Sequence, residues 1–289
     1  MSHGVTRLGV IGAGQMGGGI TQVTAVSGID AVVFDASTAA LDRCKGLHTK
    51  LLNRAVEKDR LTREQADAAL GRITYAGSLD DLVGCDWLIE AIVEDLAVKR
   101  DLFVSLAGLF TDERVVLASN TSSISITALA AATGAAAPRV IGMHFFNPVP
   151  VMKLVEVIKG IQTSDEVVAR TVSLAEAMGK TPLKANDRAG FVSNRVLMPL
   201  INEAFRAWME GVAEPESIDG IMQLGCNHPM GPLRLADFIG LDTCEHIMNV
   251  LHTELGEERF APCPLLRQLV AAGRLGNKTG RGVYDYSKT

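Results

Sequence analysis

A Rossmann-type α/β fold, a doubly wound and mostly parallel sheet followed by an all-α C-terminal domain, is predicted by three features of this chain. Short β-branched runs alternate with helical stretches over most of its length, a Gly-x-Gly-x-x-Gly loop joins the first run to the first helical stretch, and strand patterns nearly vanish beyond Asp187. In order, Thr6 to Ile11 is a buried strand, Gln15 to Ser27 a helix closed by Gly28, and Ala31 to Phe34 a second strand, together one βαβ unit. An amphipathic helix follows from Thr38 to Lys58, and a shorter one opens at Thr62, where Gln65 completes a capping box. Further strands are expected at Ile73 to Tyr75, Trp87 to Ala91, Val115 to Ala118 and Val140 to Met143, with helices between several of them, one near Val98 to Leu109. Val155 to Ile158 is another extended run, Thr163 with Glu166 caps a helix that stops at Gly179, and a last short strand covers Thr181 to Leu183. Helical patterns then run from Phe191 to Glu210, Pro215 to Leu224, Leu233 to Ile239 and Leu265 to Ala272. Residues 1–186 are thus expected to form the dinucleotide-binding domain and 187–289 a helical one.

Composition removes several classes of function. The 289 residues are 47% hydrophobic and 21% charged, an ordinary globular balance that can bury a core. A net charge of -5 supplies no field to gather phosphates, so no nucleic-acid partner is expected. No run of about 18 apolar residues exists to span a bilayer. A strand pattern that begins at Thr6 leaves no room before it for a targeting segment, so a cytoplasmic location is expected. Five widely spaced cysteines without a Cys-x-x-Cys pair suggest reduced, mostly buried thiols, and neither cysteines nor histidines show metal-ligand spacing.

The chemistry concentrates where strands end. Gly12-Ala13-Gly14-Gln15-Met16-Gly17 lies between a strand and a helix start, where backbone N–H groups and the helix dipole hold a pyrophosphate. Asp35, about 20 residues further on at the end of the second strand, is placed to accept hydrogen bonds from ribose hydroxyls. It would repel a 2'-phosphate, and Ala36, Ser37 and Thr38 offer no cation, so NAD is favoured over NADP. Glu94 and Lys99 follow the fourth strand at the same sheet edge, where their pattern fits a nicotinamide contact and an exposed ion pair equally well. Asn120-Thr121-Ser122-Ser123 also follows a strand, with hydroxyls that can face a ligand or cap a helix.

His144 ends a strand and Glu156 lies in the next extended run, the two joined by a proline-rigid turn through Asn147, Pro148 and Pro150. Such strands can bring imidazole and carboxylate together. Oxidation of an alcohol needs the hydroxyl proton removed as hydride departs; imidazole, with a pKa near 6.5, can take it at neutral pH, and the carboxylate would fix its tautomer.

With these blocks in view, the chain resembles the L-3-hydroxyacyl-CoA dehydrogenases, in particular the stand-alone short-chain 3-hydroxybutyryl-CoA type. The resemblance covers essentially the whole chain and rests on the Gly12 to Gly17 loop, Glu90-Ala91-Ile92-Val93-Glu94, Ser119 to Ser123, His144-Phe145-Phe146-Asn147-Pro148, Asp187 to Arg195, and Pro229-Met230-Gly231-Pro232. It implies that His144 is the catalytic base and Glu156 its partner, and that Ser122, Asn147 and Asn194 support the substrate or the histidine. It implies NAD contacts at Glu94, Lys99 and Lys278, joined by Asn120 of the Ser119 to Ser123 block, and an acyl-CoA substrate whose CoA end lies on the helix carrying Lys50, Arg54 and Lys58. Those three recur every four residues on one helix face, although Asp59 and Arg60 depart from the family's lysine cluster. The helical domain is implied to supply a wall of the substrate cleft and a homodimer contact, and the reaction to serve fatty-acid breakdown or, in reverse, short-chain synthesis. Two alternatives stay open from the residues alone: a related sugar-acid or crystallin-like dehydrogenase, and a non-catalytic NAD-binding sensor.

Overall fold

The computed structural model describes residues 4–287. Strand β1 (Arg7–Ile11) buries Leu8, Val10 and Ile11 almost completely, each worth about 1.5–3 kcal/mol of transfer from water. It leads through the glycine loop into α1 (Gln15–Val26), which ends at Ser27 and Gly28 (φ 85°), and then into β2 (Asp30–Phe34). Helices α2 (Thr38–Glu57) and α3 (Arg63–Gly71) follow, the second opened by the expected capping box between Thr62 and Gln65. Then come β3 (Ile73–Ala76), β4 (Trp87–Glu90), α4 (Leu96–Leu109), β5 (Val116–Ser119), α5 (Ile126–Ala132), β6 (Val140–Phe145), β7 (Leu154–Lys159), α6 (Asp165–Ala177) and β8 (Thr181–Asn186).

Among the described residues these eight strands form one sheet in the order β3-β2-β1-β4-β5-β6-β7-β8. Every pairing from β3 to β6 is parallel, β7 runs antiparallel to β6, and β8 is parallel to β7. The order reverses between β1 and β4, so the loops after those two strands open a crevice at the carboxyl edge of the sheet. Alternate strand residues such as Val10, Val33, Ile89, Ala118 and Met143 pack under Ile20, Leu52 and Leu174 of the helices.

Asp187 closes the first compact unit of the chain and Arg188 opens the second. The second is helical: α7 (Ser193–Met209), α8 (Pro215–Cys226), α9 (Pro232–Ile239), α10 (Leu241–Leu255) and α11 (Pro264–Ala271) surround a core of Met198, Phe205, Leu233, Met248, Phe260 and Leu266. Helix α10 has no counterpart among the helices expected from the sequence; its N-cap is Gly240, which supplies no side-chain cap to mark the start. The cap expected of Thr163 is also corrected. Ser164 accepts the hydrogen bond from Val167 N–H, while the Thr163 hydroxyl donates to the Val140 carbonyl and so ties α6 to β6.

Candidate active site

The glycine loop has the shape a dinucleotide phosphate requires. Gly12 has φ 108°, and a Cβ there would lie 2.5 Å from the Ala91 carbonyl oxygen; a Cβ on Gly17 would lie 1.8 Å from the Gly12 oxygen. Both positions therefore need glycine for packing between β1, β4 and α1. Gly14 differs, since it is exposed and a Cβ there would meet nothing within 4 Å. It caps α1 without a side chain, leaving the first-turn N–H groups, those of Gln15 and Met16 among them, to an anion rather than to a serine or aspartate. Asp35 braces the loop by accepting from Ala13 N–H and from Ser37 N–H, each at 2.8 Å, and is half-buried at the end of β2. The residues present thus fit a pyrophosphate and its ribose.

Beside this loop the structure gathers a polar network that periodicity does not reveal. Glu90, at the end of the otherwise apolar β4, is wholly buried and accepts from Ile92 N–H, the Ser119 hydroxyl and the Lys99 ammonium. Lys99 has no exposed surface, and its second carboxylate is Glu94 at 3.3 Å. The Lys99 ammonium is thus enclosed between two carboxylates, beside Glu94. Glu94 keeps some exposure and accepts from the Thr121 hydroxyl, the Ser122 and Ser123 N–H groups and the Ser123 hydroxyl. Burial pushes its carboxyl pKa up, but Lys99 and these hydrogen bonds outweigh that push and hold it below the usual carboxylate value. Asn120, from the same loop, accepts from Phe145 N–H at 2.8 Å and so joins the loop to β6.

The register of β6 and β7 places His144 directly opposite Glu156. In an antiparallel pair such residues project from the same face, and their side chains meet at 2.8 Å through His144 Nδ1 and Glu156 Oε2. Both are nearly enclosed, at 6% and 4% exposure, so their attraction is far less screened than at a surface. An ionised carboxylate only accepts, so the neutral imidazole carries its proton on Nδ1, and Nε2 is an acceptor that lies 3.1 Å from the Ser122 hydroxyl. Phe146 packs on the imidazole with ring centroids 4.6 Å apart, and Asn147 follows in an exposed turn.

These residues stand at the carboxyl ends of β4, β5 and β6, the same edge as the glycine loop after β1. Sequence spacing gave Glu90 no role of its own; a carboxylate ending a four-residue apolar strand is the one local signal that could have found it.

Of the expected CoA-binding cations, Arg54 and Lys58 line a cleft of about 600 Å³, together with Arg60, Lys180 and apolar Val26, Leu61 and Val151. Lys50 is exposed on α2 but does not line it. In the second unit, Asn194 is buried in the first turn of α7, and Lys278 pairs with Asp242 at 2.6 Å. Among the described residues no group of three His, Cys, Asp or Glu is arranged to hold a metal ion.

Comparison with known proteins accords with this layout. The family described as 3-hydroxyacyl-CoA dehydrogenase, NAD binding domain, matches residues 7–188, and its C-terminal domain matches 190–286. A Deinococcus radiodurans protein named "Probable 3-hydroxybutyryl-CoA dehydrogenase" is 58% identical over 280 residues, covering 97% of this chain and 100% of that one. The 3-hydroxybutyryl-CoA dehydrogenase of Bradyrhizobium diazoefficiens is 49% identical over 286 residues, with 99% and 97% covered. The crystal structure of (S)-3-hydroxybutyryl-CoA dehydrogenase PaaH1 from Ralstonia eutropha superposes with a TM-score of 0.94 at 50% identity, covering 98% of this chain and 99% of that one. With both domains matched in order and relatives this similar along nearly the whole length, the chain belongs to the 3-hydroxyacyl-CoA dehydrogenase family.

Proposed function

We propose that the protein interconverts (S)-3-hydroxybutyryl-CoA and acetoacetyl-CoA with NAD, His144 acting as general base in oxidation and general acid in reduction. The observation that carries this reading is the His144–Glu156 pair, which faces Ser122 at the same sheet edge as the glycine loop. When bound, NAD supplies the hydride acceptor. The chain's residues do the rest. Nε2 of His144 takes the proton of the 3-hydroxyl as its carbon gives up hydride, and Glu156 stabilises the imidazolium that results. Ser122, held through its backbone by Glu94, positions the oxygen beside Nε2, with Asn147 and Asn194 on the substrate. Gly12, Gly14, Gln15, Met16, Gly17, Asp35, Glu94, Asn120 and Lys278 are assigned to the cofactor, with Lys99 holding Glu94. Lys50, Arg54 and Lys58 are assigned to the CoA phosphates, and Arg60 shares the cleft with the latter two.

The same reading makes residues 1–186 the cofactor domain and 187–289 the substrate and dimerisation domain of a homodimer. Support for the dimer comes from Ile221 and Leu224, which are exposed three residues apart on α8 and share a face. Free thiols at all five cysteines suit the cytoplasm, and the relatives' names suit a step of fatty-acid breakdown. No described helix is long and apolar enough to cross a membrane.

The test is to follow NADH oxidation with acetoacetyl-CoA and with free acetoacetate, and to repeat it with NADPH. Turnover confined to the CoA thioester and strongly favouring NADH is expected. Equal rates on the free keto acid would favour the sugar-acid dehydrogenase alternative, and no turnover would favour the sensor.

A further inference from the structure

Lys180 lies between α6 and β8 with its backbone fixed, its N–H bonded to the Ala175 carbonyl and the next N–H, of Thr181, to Lys153. The residue is 8% exposed, and among the described residues its ammonium meets carbonyl oxygens rather than a carboxylate. The two partners are Val149 O and Met152 O, the latter at 2.9 Å. Both belong to the turn after His144, in which Val151 and Met152 already donate to the Pro148 carbonyl. The other side of that turn is pressed against α1, where a Cβ on Gly19 would lie 2.8 Å from Val149 Cβ. Burying an ammonium without a counter-charge is costly, and here burial lowers its pKa. Its two bonds tie the start of β8 to one turn, and Lys180 also lines the cleft shared by Arg54, Lys58 and Arg60.

We propose that Lys180 is a positioning residue for the reaction: from the wall of the cationic cleft it clamps the Val149 to Met152 turn, and so holds Asn147 and the end of β6 in place for the substrate. This rests on the proposed function, since it takes the thioester as substrate.

The experiment compares wild type, Lys180→Met and Lys180→Arg with acetoacetyl-CoA and with acetoacetyl-N-acetylcysteamine, a thioester that lacks the CoA phosphates, and titrates NADH binding by fluorescence. Lys180→Met is expected to lower kcat at least tenfold on both thioesters with NADH affinity unchanged, and Lys180→Arg, which keeps charge and donors, to recover part of it. A kcat within twofold of wild type, or a loss confined to KM for the CoA thioester, overturns the proposal. If Lys180→Met does not fold, Gly19→Ala displaces the same turn from its other side; a tenfold fall in kcat supports the clamp, and an unchanged kcat overturns it. Wild-type protein inactive on both thioesters would instead overturn the reading of the reaction beneath it.

Discussion

Glu156 is the side chain to which the proposed proton transfer gives the narrowest task. Its carboxylate lies 2.8 Å from His144 Nδ1, so in the proposed reaction it acts through the charge and orientation of that imidazole. Glu156→Gln keeps the hydrogen-bonding shape but removes the counter-charge of the imidazolium. The expected result is a kcat lowered by about tenfold to a hundredfold, with the basic limb of the pH–rate profile displaced. A profile that superposes on the wild type's would count against the pairing. Glu94 makes a different prediction, for stability. Its folded pKa is depressed, so its contribution is fully present above the unfolded value near about 4.3 and is lost as pH falls through the lower folded value. The stability gap between wild type and Glu94→Gln should therefore be constant at neutral pH and close below about pH 4, as read from denaturant melts. A gap that widens in acid would contradict it.

At the scale of the element, the glycine loop separates packing from binding. Gly17→Ala puts a Cβ into the Gly12 carbonyl and should destabilise the fold, whereas Gly14→Ala meets no protein atom. Gly14→Ala is accordingly expected to leave Tm unchanged and to weaken NADH binding by tenfold or more, measured by thermal melting and fluorescence titration. A Tm loss equal to that of Gly17→Ala would mean the loop packs without serving a ligand. These elements were largely legible beforehand, because the loop, Asp35 and the strand ends obey local rules. His144 and Glu156 were legible too, since adjacent antiparallel strands have few registers. The Glu90–Lys99 pair was not, as nothing in sequence spacing says that a lysine nine residues on turns back beneath its strand. Steps of four drift by about 40° each, so Lys50 and Lys58 lie roughly 80° apart on α2, and the cleft is lined by the face that carries Leu51, Arg54, Ala55 and Lys58.

For the whole molecule, the loss of strand patterns set the expected boundary between residues 186 and 187, where the first compact unit ends at Asp187, while nothing in the sequence set the order of the sheet. Alternating strands and helices imply parallel pairing, but the place where strand order reverses depends on non-local contacts that no single segment encodes. The proposed dimer belongs to this scale as well. Leu224 is 92% exposed on α8, an expensive position for a leucine that stays in water. Leu224→Asp should shift sedimentation from dimer to monomer at micromolar concentration with the secondary structure intact; a dimer that survives would remove that face from the interface.

The account depends most on one imidazole. His144→Ala should be compared with wild type for acetoacetyl-CoA reduction by NADH and for NADH binding in the same preparation. The predicted result is a kcat lower by at least about a hundredfold with NADH affinity unchanged. Near-normal turnover in that variant would contradict it.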